Sequence, residues 1–334
     1  MSDILRANLL SPIVLAFVLG IITKLIKSEF SLPKDLYASL GIYLLFAIGI
    51  KGGVELAHST LQEIARPAAV TLLLGCLTPI LAYLTLRRLG RFSTTDSAAI
   101  AAHYGSVSAV TFIAAQQFVQ RMGAPAEGFM PTLLTLLESP GIHIALGIGA
   151  VQRMKQLQAA GPSADGVAPT GTLKDVLHEV LTARTMVLLV GGLLVGFLMG
   201  EDGWKQVKPF FDGGFKGALT LFILEMGIIA AARLGDLKKV GPFLLGFGML
   251  MPVVHGTIGA ALGSWAGLSV GGATVLATMA ASASYIAAPP AVRVQLPEAN
   301  PTLYLTAALA ITFPFNVVIG IPLYFKIAQA LHGA

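Results

Sequence analysis

The sequence predicts an all-α polytopic membrane protein: ten transmembrane helices as two inverted five-helix repeats, with crossing broken helices 4 and 9. Three observations carry this expectation. Of the 334 residues, 55% are hydrophobic and 12% charged, against roughly 25% charged in an average soluble domain. Apolar windows close to the ~20 residues that cross a bilayer recur along the whole chain and leave no room for a separate soluble domain. Segments of the two halves also match at an offset of about 175 residues, the kind of self-similarity that marks a repeat architecture.

Taken in order, the predicted spans are 9–26, 36–54, 67–89, 95–120 and 129–152, then 183–200, 214–234, 241–264, 270–293 and 302–329. The first lacks the basic flank and small-x-small cleavage site of a signal peptide, so it counts as helix 1. Residues 240–292 hold no charged residue; that is too long for one crossing, so the glycine-rich stretch near Gly263 to Gly272 reads as a turn. Residues 156–172, rich in Ala, Gly, Pro and Ser, read as a flexible linker. The expected organisation is a first repeat over 1–155, a cytoplasmic linker over 156–182 and a second repeat over 183–334.

The net charge of +5 comes from 22 Lys and Arg scattered singly and in pairs between apolar windows, which argues against a nucleic-acid surface and for topology signals. With the amino terminus outside, loops after the odd-numbered helices hold fourteen of the 22 and the opposite face eight. The positive-inside rule then favours both termini outside a plasma (inner) membrane. Cys76 is the single cysteine, so there is no disulfide framework; in its apolar run it reads as a small packing residue.

The repeat is faint but recurrent. Ile48-Gly49-Ile50 parallels Met226-Gly227-Ile228, Pro67 and Pro79 parallel Pro242 and Pro252, and Ser106-Val107-Ser108 parallels Ser282-Ala283-Ser284. Chance likeness among apolar sequences is the competing explanation. Five helices per unit is odd, so the second unit must enter the membrane upside down. Inverted repeats are characteristic of transporters, which bind substrate near the midplane where discontinuous helices meet.

Helix 4 contains His103-Tyr104-Gly105-Ser106-Val107-Ser108, and helix 9 contains Ser282-Ala283-Ser284-Tyr285-Ile286-Ala287-Ala288-Pro289. Gly or Pro beside small hydroxyl residues favours a broken helix, tolerated at membrane depth only where protein or a cavity satisfies the freed backbone. The half-helix N-termini so exposed suit a small anion, held by backbone amides and the hydroxyls of Ser106, Ser108 and Ser284. The alternative is that small residues simply let two helices cross closely. Neither segment has a Lys or Arg near its middle, and unpaired charge at that depth costs several kcal/mol. A co-bound cation held by hard oxygen ligands would neutralise the anion, and Na⁺ fits such donors.

Intramembrane carboxylates are functional candidates by default. Glu138, beside a Pro-Gly pair, is the first choice for a cation ligand, with Thr111, Ser282 and Asn316 as further oxygen donors. Asn316 equally suits an interhelical hydrogen bond. Glu55 reads as structural, paired with Lys51, and Glu225 as either functional or a hydrogen-bonded packing residue. His103, His143 and His255 have no ligand partners at metal-binding spacing, no HExxH is present, and Gly105-Ser106-Val107-Ser108 is not a nucleophile elbow. The expectation is therefore a protein that is not an enzyme and carries no cofactor.

Four motifs together, residues 48–56 (IGIKGGVEL), 103–108 (HYGSVS), 281–287 (ASASYIA) and 296–301 (LPEANP), resemble the SbtA sodium-dependent bicarbonate transporters of cyanobacteria over nearly the whole chain. The resemblance implies a homotrimer of ten-helix protomers, each with a core and a gate subdomain. It implies bicarbonate at Gly105, Ser106, Val107, Ser108, Ala283, Ser284 and Tyr285, sodium coupling, a role in concentrating CO2, and inhibition by a PII-like cytoplasmic protein. The short linker departs from the family's cytoplasmic segment and bears on that last point. The expected function is a sodium-coupled symporter importing bicarbonate by alternating access. The alternatives are a sodium-coupled carrier of another small anion, a cation antiporter of related architecture, and a non-transporting membrane sensor.

Overall fold

The computed structural model describes residues 2–138, 140–160, 182 and 184–333, and every regular element among them is helical. The first half contains α1 (Ser2–Leu9), α2 (Pro12–Leu25), α3 (Lys34–His58), α4 (Leu61–Arg88), α5 (Thr94–Tyr104), α6 (Ala109–Arg121), α7 (Met130–Glu138) and α8 (Pro140–Ala160). The second contains α9 (Arg184–Lys208), α10 (Phe215–Arg233), α11 (Leu237–Trp265), α12 (Val270–Ala281), α13 (Ala288–Gln295) and α14 (Pro301–His332). The last is interrupted by π-helical stretches at Ala307–Thr312 and Asn316–Gly320.

Local chemistry fixes several helix starts. Pro12 opens α2 behind Ser11, whose hydroxyl accepts from the Val14 amide at 3.2 Å, and Thr60 and Glu63 form a reciprocal capping box at α4; both arrangements satisfy amides that have no partner in the first turn. Asn300 of the LPEANP motif caps α14 ahead of Pro301 through its Oδ1, and its own amide donates to Asp96 at 2.8 Å.

Among the described residues six helical stretches are long and apolar enough to cross a membrane, and α2 and α12 are shorter apolar helices. One stretch, Arg184–Trp265, runs 82 residues, about 120 Å if it were a single straight helix. It folds back instead: α9 packs along α3, α10 along α2, and α11 along α12. The helices thereby fall into two groups. Helices α2, α3, α9 and α10 pack on one another, while α4–α8 and α11–α14 form the second group, which contains both breaks.

Glycines set the closest approaches in the first group. A Cβ on Gly20 would lie 2.1 Å from the Leu224 carbonyl and 3.0 Å from Gly227 Cα. On the other pair, a Cβ on Gly49 would lie 2.8 Å from the Leu189 carbonyl and 2.9 Å from Gly192 Cα. The Gly49 and Gly53 positions of the IGIKGGVEL motif are thus sites of backbone contact with α9, the small-residue packing expected inside membranes.

Several expectations are corrected. Lys51 does not pair with Glu55; its Nζ lies 3.3 Å from Asp212, because the turn after α9 brings that carboxylate to its exposed face, while Glu55 packs against Gly128. Cys76 is exposed rather than packed, since Leu72, Cys76 and Ile80 share one outward stripe of α4 at four-residue spacing. Helix 5 does not end at 152: its backbone stays helical to Ala160, and residues 161–181 of the expected linker lie outside the described residues. Glu225 is buried and its Oε2 accepts from the Leu32 amide at 2.9 Å, a hydrogen-bonded packing role. The α1 helix was not anticipated. Its Asn8 is buried and donates to the carbonyls of Val317 and Val318 at 2.9 and 3.1 Å, in the π stretch of α14.

Candidate functional site

Helix 4 of the sequence reading stops at Tyr104 and resumes at Ala109; helix 9 stops at Ala281 and resumes at Ala288. The two interruptions cross and are tied by their backbones. The Ser284 amide donates to the His103 carbonyl at 2.7 Å, and the Ser108 amide donates to Ser282 Oγ at 2.8 Å. Ser282 Oγ in turn donates to the Met279 carbonyl at 2.8 Å. Backbone polar groups freed by the breaks therefore find partners in the opposite segment, the condition for irregular backbone at membrane depth.

Each serine also organises the helix that follows it. Ser108 caps α6, its Oγ accepting from the Thr111 amide at 3.3 Å and from Thr111 Oγ1 at 3.0 Å. Ser284 Oγ accepts from the amides of Ala287 and Ala288, at 3.3 and 3.4 Å, at the start of α13. The N-terminal ends of α6 and α13 consequently face the crossing, and the positive ends of their dipoles with them.

Between these ends lies a narrow cavity lined by Val107, Ser108, Ala109, Glu138, Thr185, Ser284, Tyr285 and Ile286. Its volume is about 10 Å³, room for roughly one water-sized particle. Glu138 is 2% exposed, and its Oε2 has no hydrogen-bond partner among the described residues. A buried carboxylate oxygen left free in this way is costly unless a ligand completes it. The crossing thus leaves room for about one small particle.

Of the residues singled out from sequence, the structure brings Val107, Ser108, Ser284, Tyr285 and Glu138 to the cavity wall. The others stand behind it. Gly105 runs against Pro79 and Gly141, where an added Cβ on Gly141 would lie 1.8 Å from the Gly105 carbonyl. Ser106 donates to the Glu138 carbonyl at 2.9 Å, locking the first break to the end of α7. Ala283 is buried among α5, α8 and α11. Asn316 donates to the Ala281 carbonyl at 2.8 Å and accepts from Tyr324 at 2.9 Å. Thr111 and Ser282 make the cap and cross-link already described.

His103, wholly buried at the end of α5, stacks on Tyr304 at 4.6 Å, and its Nδ1 donates to the Ala99 carbonyl at 2.7 Å. Among the described residues no group of three or more His, Cys, Asp or Glu is arranged to hold a metal ion. The sequence reading missed Thr185 and Ile286. Ile286 sits inside the quoted ASASYIA motif, but Thr185 is a lone hydroxyl at the start of an apolar helix, with no spacing to mark it.

Crossing half-helices beside a buried, unpartnered carboxylate define a polytopic helical membrane protein with a small internal cavity at its crossing. The chain matches the Na⁺-dependent bicarbonate transporter superfamily over residues 12–329 and belongs to that family. It is a transporter and not an enzyme. No curated protein matches the chain.

Proposed function

We propose that the protein is a symporter that imports bicarbonate by alternating access, driven by an inward Na⁺ gradient, with both ions bound at the crossing. The observation that carries this reading is the cavity itself: two helix N-termini and two serines face it from opposite sides, and the free Glu138 oxygen faces the same space. Bicarbonate is assigned to the segments Gly105 to Ser108 and Ala283 to Tyr285, with Ser108, Ser284 and Tyr285 in direct contact and Gly105, Ser106, Val107 and Ala283 shaping the backbone. Glu138 supplies the charge that holds Na⁺. Thr111, Ser282 and Asn316 are hydrogen-bonded to protein and join the cation only by exchanging those bonds. A cation between the carboxylate and the anion lowers the cost of burying either charge, which is the physical root of coupling.

We further propose ten spans in two inverted repeats, both termini outside. The exchange of partners supports this: at the repeat offset α2 corresponds to α9 and α3 to α10, so the α3–α9 and α2–α10 contacts are one contact seen twice. The glycine pairs Gly49–Gly192 and Gly20–Gly227 correspond in the same way. Helices α2, α3, α9 and α10 act as the gate and the remaining group as the core. Family resemblance motivates a homotrimer in a bacterial inner membrane and a PII-like regulatory partner on the cytoplasmic face; the mass of the detergent-purified protein tests the first.

The deciding experiment is uptake of radiolabelled bicarbonate into proteoliposomes with and without an inward Na⁺ gradient, against sulfate and succinate. Gradient-dependent bicarbonate uptake is the expected result. Uptake of another anion alone would replace the substrate, and no transport at all would favour a sensor.

A further inference from the structure

The cavity wall is not drawn evenly from the two helix groups. Val107, Ser108 and Ala109, Glu138, and Ser284, Tyr285 and Ile286 all belong to the group that contains the breaks. Thr185 alone comes from the other group, through α9. Its side chain is 3% exposed and lines the cavity. A second observation on the same space points to a ligand: Glu138, which lines the cavity from the opposite group, has its Oε2 buried with no hydrogen-bond partner among the described residues.

We propose that Thr185 is a ligand of the transported oxyanion contributed by the gate group, made on one side of the transport cycle and absent on the other. Alternating access requires the two groups to shift relative to each other, so contacts within one group persist while contacts between the groups do not. The serines travel with the anion; the Thr185 hydroxyl stays with α9. A ligand-dependent change of conformation needs such a difference in contacts between the states. In the orientation that the charge asymmetry favours, α9 begins at the cytoplasmic face, so the Thr185 contact belongs to the inward-side site.

This inference rests on the oxyanion reading of the cavity, and its test separates the two. Reconstituted full-length protein of defined orientation would be assayed for Na⁺-dependent bicarbonate flux from each face, for wild type, Thr185→Val, Thr185→Ala and Thr185→Ser. Loss of one hydrogen bond to a charged ligand is expected to raise the apparent KM at the cytoplasmic face about tenfold in the Val and Ala variants. The outer-face KM stays at the wild-type value, and Ser, which keeps the hydroxyl, behaves as wild type at both faces. Equal KM changes at both faces, no change in either hydroxyl-less variant, or a Ser variant as impaired as Val would each overturn the role of Thr185. If wild type carries no bicarbonate while another oxyanion is carried with the same one-sided Thr185 effect, the substrate reading falls and the gate-side ligand stands.

Discussion

The two breaks are written in nearly the same residues and are finished in opposite ways. In the first, four residues separate α5 from α6, and the polar residue at the end of the next helix, Glu138, leaves an oxygen free in the cavity. In the second, six residues separate α12 from α13, and the buried polar residue of the last helix that holds this break is Asn316. Its amide nitrogen is committed to the Ala281 carbonyl and its oxygen to Tyr324. The first break therefore keeps an unpartnered carboxylate oxygen beside the cavity, while the polar side chain at the second is closed by protein hydrogen bonds. On the proposed reading, the first break supplies the cation ligand and the second holds the crossing in shape.

The sharpest way to break that comparison is Glu138→Gln. The change keeps the size of the side chain and removes its charge, so Na⁺ stimulation of uptake is expected to fall roughly 100-fold, the equivalent of losing about 3 kcal/mol of interaction with a charged ligand. Uptake measured across a Na⁺ titration checks it. A variant that keeps the wild-type Na⁺ dependence would end the assignment of Glu138 and, with it, the division between the halves.

Outside the site the halves are expected to remain equivalent. Gly20→Ala and its counterpart Gly192→Ala each force a methyl group into backbone, within 2.1 Å of the Leu224 carbonyl and 2.8 Å of Gly49 Cα respectively. Overpacking of this kind costs about 1–3 kcal/mol. Thermal unfolding of the purified variants in detergent should show similar losses for both; a loss confined to one would mean that the two crossings are not the same contact.

How much of this was legible in the sequence depends on how locally each feature is encoded. The breaks were readable because Gly105, Ser106, Ser108, Ser282, Ser284 and Pro289 are themselves the local cause: they weaken a helix or cap the next one. Glu138 was readable because a carboxylate in an apolar span has few uses. Features decided by distant partners were not. Lys51 had Glu55 at helical spacing, yet Asp212 arrives from the far side of α9. Cys76 gave no sign of which face of α4 it occupied. Thr185 enters the site only because α9 packs where it does, and Asn8 finds its partners 309 and 310 residues away. Ser106, expected to touch the anion, spends its hydroxyl on the Glu138 carbonyl, an outcome that spacing alone does not distinguish.

The serines give a finer division. Ser108→Ala removes a cavity hydroxyl together with the cap of α6, so apparent bicarbonate affinity should fall about tenfold, with stability lower by about 1 kcal/mol. Ser106→Ala removes only the link to Glu138 and is expected to leave bicarbonate KM within about threefold of wild type, since its oxygen faces protein rather than the cavity and a neutral hydrogen bond is worth ~1 kcal/mol. Equal losses of affinity in the two variants, measured by uptake at varied bicarbonate, would put both hydroxyls on the anion.

The smallest expected effect tests the closed half directly. Tyr324 is fully buried and donates to Asn316 Oδ1 at 2.9 Å, at the edge of the π stretch Asn316–Gly320. Tyr324→Phe keeps the ring that packs on Gly256 and deletes the donor, leaving one amide oxygen unpaired in a dry interior. The expected loss is about 1 kcal/mol of stability, read as a lower unfolding temperature, with the half-saturating Na⁺ concentration unchanged. The Asn316 nitrogen still holds Ala281, so the crossing keeps its geometry and Glu138 its cavity. Should Na⁺ bind more tightly in this variant, the released oxygen has joined the cation, and the second half retains a ligand that the hydrogen bond from Tyr324 holds back.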